Sequence, residues 1–268
     1  MSSGAQADTA LGGIDMLAPV SLARTLRFDG LDPRHFGAPP PAAPPLRLAT
    51  FSGAVGTGAS CNCRVLTLVP HCHGTHTESV AHLTHEPLDV CTVAPLAPMP
   101  AWLVSVRPAG AHETMEDSVP APQPGDRLLT RAAIEAGWPA RNGFAPRALI
   151  LRSGHGEAAD DDLAPYLSRQ AVGLLVERGI EHLVVELPSI DRSHDEGVLC
   201  GHRRFFGMPP GSRHLGDAAR PHCTITEYAA VPATLPDGPC FLQLALPRLA
   251  GDAVPSQPVY FPWRGGPA

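Results

Sequence analysis

The sequence predicts a single α/β domain. Six short stretches rich in β-branched and aliphatic residues, each bounded by Gly, Pro or charged turns, read as strands. A helical stretch at 168–179 runs straight into one of them, as in half of a β-α-β unit. With 268 residues, 44% of them apolar and 17% charged, the chain can bury a sizeable core and lacks a disordered composition.

In chain order, residues 1–14 are small and polar and are expected to be loose, leaving 15–268 as the domain. FGAPPPAAPPL (36–46) is expected to be extended, because proline lacks a donor and restrains its neighbour. The strand candidates are RVLTLV (64–69), AWLVSV (101–106), RALILR (147–152), IEHLVVEL (180–187), TITEYAA (224–230) and CFLQLAL (240–246). In the helix at 168–179, Ser168 can cap, Val172, Leu175 and Val176 share a face, and Gly179 ends it. A second helix is expected from Ser193, which has capping-box spacing to Glu196, to about Phe206, with Gly197 and Gly201 as weak points. Residues 113–127 and 207–222 read as loops, and no internal repeat is visible.

Composition narrows the function. The net charge is −6, and all 20 basic residues are scattered arginines, which argues against a nucleic-acid surface. No 18-residue apolar run and no signal-like N-terminus is present, so a cytoplasmic protein is expected. Seven cysteines (61, 63, 72, 91, 200, 223 and 240) read as reduced, small and mostly buried. Cys61-Asn-Cys63 lacks the second cysteine pair of a structural zinc site.

Residues 71–85, HCHGTHTESVAHLTH, hold five of the thirteen histidines. Pro70 stops the preceding apolar run, Gly74 permits a tight turn, and Thr75 can fix it through its hydroxyl. His71, His76 and Glu78 can then face one point, with the nitrogen and oxygen donors preferred by zinc, manganese and related divalent ions. Further ligands are expected from elsewhere. His202 follows the strand HLVVEL and the turn PSIDRSHDEG, where α/β proteins place functional groups. Glu227 stands in an otherwise apolar strand, where an unpaired carboxylate is costly. Ser189 and Asp191 read as a turn that positions the next helix, since no G-x-S-x-G elbow exists. His73 and His85 read as surface or supporting residues.

The stretch GTHTE (74–78) followed by His82 resembles the signature of the cyclase-like metal-dependent hydrolases, a family that includes bacterial kynurenine formamidase and isatin hydrolase. Collinear blocks at 166–191, 201–206 and 224–228 extend the resemblance over most of residues 60–230. It implies a swivelling β/β/α domain and two divalent metals, zinc or manganese, bridged by a carboxylate. By resemblance that carboxylate is Glu78, further ligands are His76, His202 and Glu227, and His82 is the acid–base residue. Relatives assemble as dimers or tetramers.

Three departures stand out. The family's His-x-Gly-Thr-His would place a histidine at 72, but this chain has Cys72, with His71 one residue earlier. Either His71 reaches the metal through a bulge or Cys72 ligates it, and His71 is preferred because hydrolytic sites of this kind seldom use thiolate. Glu78 replaces the usual Asp, and the spacing from His202 to Glu227 is longer than in the formamidases. The implied activity is hydrolysis of a C–N bond in an aryl formamide or cyclic amide, with N-formylkynurenine the first substrate to consider. The alternatives are a lactam or lactone hydrolase with loop 207–222 in its pocket, and a non-catalytic metal- or ligand-binding module.

Overall fold

A computed structural model describes residues 8–9, 12–32, 34–138, 145–154 and 164–265. The larger sheet draws on β1 (Asp8–Thr9), β2 (Gly12–Ile14), β3 (Val20–Ser21), β4 (His76–Glu78) and β5 (Met99–Ser105). Its later strands are β8 (Ala148–Arg152), β10 (His182–Val185), β11 (Thr224–Glu227), β12 (Gly238–Ala245), β13 (Ala253–Pro255) and β14 (Gln257–Arg264). Their order is β1-β2-β14-β12-β5-β8-β10-β11-β4-β13, with β3 added on β14. The middle four, β5-β8-β10-β11, run parallel, and β4 and β13 close one side antiparallel. β6 (Ala109–Gly110), β7 (Arg127–Leu129) and β9 (Tyr166–Leu167) form a second, three-stranded sheet. The chain is thus one mixed α/β domain, as the sequence predicts.

The strands are apolar on both faces, as parallel strands in an α/β core must be. Beyond the single turn α1 (Val90–Val93), Leu149, Leu151, Leu183 and Val185 along β8 and β10 pack against helices α2 (Arg131–Gly137), α3 (Arg169–Glu177) and α4 (Cys200–Phe206). The alternate residues Ala148, Ile150 and Val184 face a second cluster with Leu22, Leu103, Leu242 and Tyr260. This period of two follows from the pleat, and each fully buried Leu or Ile contributes about 1.5–3 kcal/mol.

Helix α3 forms as its sequence dictates. Ser168 Oγ accepts from Ala171 N at 2.9 Å, and Gly179 turns the chain at φ +73°. Three expectations are corrected. Residues 12–14, expected to be loose, pair with β14 and bury Ile14; residues 1–7, 10 and 11 lie outside the described residues. RVLTLV (64–69) forms no strand, only isolated bridges from Arg64 to Pro45 and from Thr67 to Ala42, with Leu66 exposed. Its partner is the proline-rich arm, and prolines cannot supply the donors of a continuous ladder. The helix expected from Ser193 begins at Cys200, because Glu196, Gly197 and Leu199 all adopt positive φ.

Candidate metal centre

The three residues of β4 carry the first part of the site. β4 lies between β11 and β13, with Glu227 opposite His76 and Ala253 opposite Glu78. Alternation puts His76 and Glu78 on one face and Thr77 on the other. Thr77 Oγ1 lies 2.7 Å from Thr226 Oγ1 and donates to Ser256 Oγ at 2.8 Å, which fixes the strand from behind. Before the strand, Gly74 turns at φ +79° and the Thr75 hydroxyl donates to Tyr228 O at 2.7 Å.

His202 arrives from the first turn of α4. Asp191 accepts from the backbone N–H groups of Gly201 (2.6 Å) and His202 (3.0 Å), and from the His202 ring Nδ1–H at 2.6 Å. A Cβ on Gly201 would stand 2.9 Å from Asp191 Oδ1, so glycine is what lets this carboxylate reach the helix end. Glu227 is held by Ile190 N, which donates to its Oε1 at 2.7 Å. His71 comes from the 3-10 turn Pro70–Cys72, and His82 from the 3-10 turn Val80–Leu83, which Ser79 caps.

The structure brings His71, His76, Glu78, His202 and Glu227 together. Donor atoms of His71, His76 and Glu78, and of Glu78, His202 and Glu227, form two groups within 4.8 Å, and Glu78 belongs to both. The ring nitrogens follow one pattern. His76 Nδ1–H donates to Gly74 O (3.1 Å), His202 Nδ1–H to Asp191, and His71 Nε2–H to Asp252 Oδ2 (2.9 Å). The remaining nitrogen of each ring faces a carboxylate: His71 Nδ1 is 3.0 Å and His202 Nε2 2.9 Å from Glu78, and His76 Nε2 is 3.5 Å from Glu227.

This arrangement fits a cation. His76 Nε2, His202 Nε2 and both Glu78 oxygens are buried without a hydrogen bond of acceptable geometry, although carboxylate and imidazole stand within 3 Å. Four orphaned polar atoms around a carboxylate of zero exposure would cost several kcal/mol if nothing bridged them. Divalent cations in the two groups that share Glu78 would satisfy them, because the outer N–H bonds let each neutral ring turn a lone pair inward.

The electrostatics agree. Burial alone would raise Glu78, but the His202, His82 and His71 imidazoles hold it well below the usual carboxylate range. Burial would lower His71 and His202, yet their carboxylate partners outweigh it, pushing His71 to about 10 and His202 well above its ordinary value.

The cluster forms the floor of a cavity of about 300 Å³, walled by Phe36, Ser189, Arg192, Asp195 and Leu199, with Cys72 and His82 also lining it. Cys72 therefore lies near the cluster, but His71 is the residue placed against Glu78. Loop 207–222 supplies none of the cavity lining among the described residues; it packs on Glu86 and His85 instead.

The cyclase family model matches residues 20–192, more than half of the sequence. The chain belongs to the cyclase family. Solved structures agree in fold. The cyclase-family chain is 20% identical to isatin hydrolase A from Ralstonia solanacearum, with TM-score 0.60 over 91% of each chain. It is 18% identical to isatin hydrolase A from Labrenzia aggregata bound to benzyl benzoate, with TM-score 0.60, covering 91% of this chain and 93% of that one. A Bacillus stearothermophilus protein described as a predicted metal-dependent hydrolase is 15% identical, with TM-score 0.58, covering 91% and 98%. No curated protein sequence matches.

Two residues beside the cluster escape sequence reasoning. Asp191 falls inside the PSID block, so its signal was visible, but it reads there only as a turn. Asp252 has no motif around it. His73, by contrast, is structural: Nδ1 accepts from Val69 N and Nε2 donates to Pro39 O, both at 2.9 Å, clamping the proline-rich arm to the turn. His85 stands beside His214, with ring centroids 6.0 Å apart, outside the cluster. No helix among the described residues is long and apolar enough to cross a membrane.

Proposed function

We propose that the chain is a divalent-metal-dependent hydrolase acting on a C–N bond of an aryl formamide or cyclic amide, with N-formylkynurenine as the first candidate substrate. The observation that carries this reading is the set of buried, unbonded donor atoms converging on Glu78. His71, His76, Glu78, His202 and Glu227 would hold the metal, zinc or manganese, with Glu78 shared between two ions. When bound, such an ion supplies Lewis acidity for a carbonyl oxygen and lowers the pKa of water towards neutrality.

The chain's own groups supply the rest. His82 lies at the cavity wall, its Nδ1 3.5 Å from Asp252 Oδ2 and its ring 5.7 Å from that of His202. Its Nε2 can take a proton from the attacking water and return it to the departing nitrogen. Asp191 holds the His202 ring, and Ile190 N holds Glu227, so neither ligand must reorganise during reaction. The cavity volume suits a small molecule. Phe36 at its wall offers a planar apolar face for an aryl group.

A lactam or lactone hydrolase is the second reading. It is favoured by the two structural neighbours named as isatin hydrolases, since isatin is an aryl lactam.

The test is metal analysis of purified protein, followed by a hydrolysis screen of formamides, lactams and lactones after loading with zinc or manganese. Stoichiometric metal and turnover of a formamide or lactam are expected. Bound metal with no turnover would leave a non-catalytic binding module, and no divalent metal binding at all would overturn the reading.

A further inference from the structure

Asp252 stands in the run LAGD (249–252), which carries no catalytic pattern, yet its place is fixed from both sides. Ser79 N donates to its carbonyl at 2.9 Å, and the preceding Gly251 is tied to Asp89 Oδ1 and Val90 N, each at 3.0 Å. The following residue, Ala253, opens β13 opposite Glu78. The carboxylate is thereby carried to the cavity wall, where Oδ2 lies 2.9 Å from His71 Nε2 and 3.5 Å from His82 Nδ1. The two rings lie nearly one over the other, with centroids 4.1 Å apart and planes 31° apart.

A carboxylate only accepts, so the nitrogen that each ring turns towards Asp252 carries its hydrogen. With a cation in place of the proton between His71 and Glu78, the opposite nitrogen of each neutral ring is bare: Nδ1 of His71, 3.0 Å from Glu78, and Nε2 of His82. We propose that Asp252 is a positioning residue that sets the tautomer and orientation of His71 and His82 together, so that one half-buried carboxylate organises both a metal ligand and the proton-transfer group. The His82 half rests on the hydrolase reading; the His71 half does not.

The test compares Asp252→Asn with wild type by chelator-competed zinc affinity, metal stoichiometry at saturation, steady-state kinetics and ¹⁵N shifts of the histidine rings. Expected are full stoichiometry, a roughly 10–100-fold loss of zinc affinity, a kcat loss of similar size with KM little changed, and a mixture of His82 tautomers replacing a single one. Asp252→Glu should restore part of the kcat. In a His82→Ala background, Asp252→Asn should lower kcat no further at saturating metal. Asp252→Ser, checked by thermal unfolding, separates any folding defect from the effect.

Unchanged affinity together with unchanged tautomers would overturn the proposal. So would kcat losses that simply multiply with those of His82→Ala. The loss of one equivalent of metal at saturation would make Asp252 a ligand itself and also overturn it. If the wild type turns over no substrate, the affinity and ¹⁵N arms still decide the role of Asp252, and that failure falls on the hydrolase reading alone.

Discussion

Asp191 binds His202 twice and its neighbour once: its carboxylate accepts from the His202 ring Nδ1–H at 2.6 Å, from the His202 backbone N–H at 3.0 Å, and from the adjacent Gly201 N–H at 2.6 Å. One side chain thus caps the helix and aims the ligand. Asp191→Ala should weaken metal affinity about 10–100-fold. It should also cost about 1–3 kcal/mol of stability through the two backbone donors left without their acceptor. Chelator competition and denaturant unfolding read the two effects separately.

Removing the Glu78 charge should cost the metal and part of the metal-free stability together. Glu78 is fully buried and neither oxygen has a well-formed hydrogen bond. Glu78→Gln should abolish stoichiometric metal binding and also destabilise the metal-free protein by about 3–5 kcal/mol, because His71 and His202 lose their buried counter-charge. In thermal melts, chelator should lower the Tm of the wild type and leave that of Glu78→Gln unmoved.

Behind the site, Thr77 anchors β4 through Thr226 and Ser256. Thr77→Val keeps the shape and deletes the hydroxyl, which should destabilise by about 1–3 kcal/mol by stranding buried partners. Metal stoichiometry should survive, since Thr77 faces away from the cluster. A variant that folds normally but binds no metal would show that these bonds set the ligand geometry itself.

At the far end of β10, His182 is buried, its ring Nδ1 2.9 Å from Thr224 Oγ1. Burial is the main cause that lowers its pKa from 6.5 to about 4. The unfolded chain therefore binds this proton more readily, and stability falls as pH drops from about 6.5 towards 4. The loss attributable to His182 should reach about 2–3 kcal/mol near pH 4.5. Urea unfolding of wild type and His182→Gln across that window measures it; parallel curves would exclude this histidine as the source.

The sequence made legible whatever depends on neighbouring residues. Ser168 and Gly179 bracket α3, and the tight turn at Gly74 lets His76 and Glu78 face one point. His202 was legible from its place after a strand and turn, and Glu227 as a carboxylate in an otherwise apolar strand. What depends on distant partners was not. The apolar pattern of RVLTLV looks like a strand, but its partner is proline-rich. The Ser193–Glu196 spacing looks like a cap, but Asp191 and Asp195 do the capping, Asp195 accepting from Gly197 N and Leu199 N. Asp252 lies 170 residues beyond His82, and only the pairing of β13 with β4 brings it close.

The seats of the ligands also differ in how they can drift over evolutionary time. His76, Glu78 and Glu227 sit on paired strands, where inserting or deleting one residue would reverse the parity of the pleat and turn each donor to the wrong side. Such positions can exchange one amino acid for another of like chemistry, as Glu in place of Asp at 78, but cannot change their count. His71 sits on a single 3-10 turn, which can be rewound by one residue while its neighbours stay in place. The resemblance to the family places a histidine at 72, and the proposed donor at 71 is the one whose seat is a turn, so that departure falls where the backbone leaves room for it.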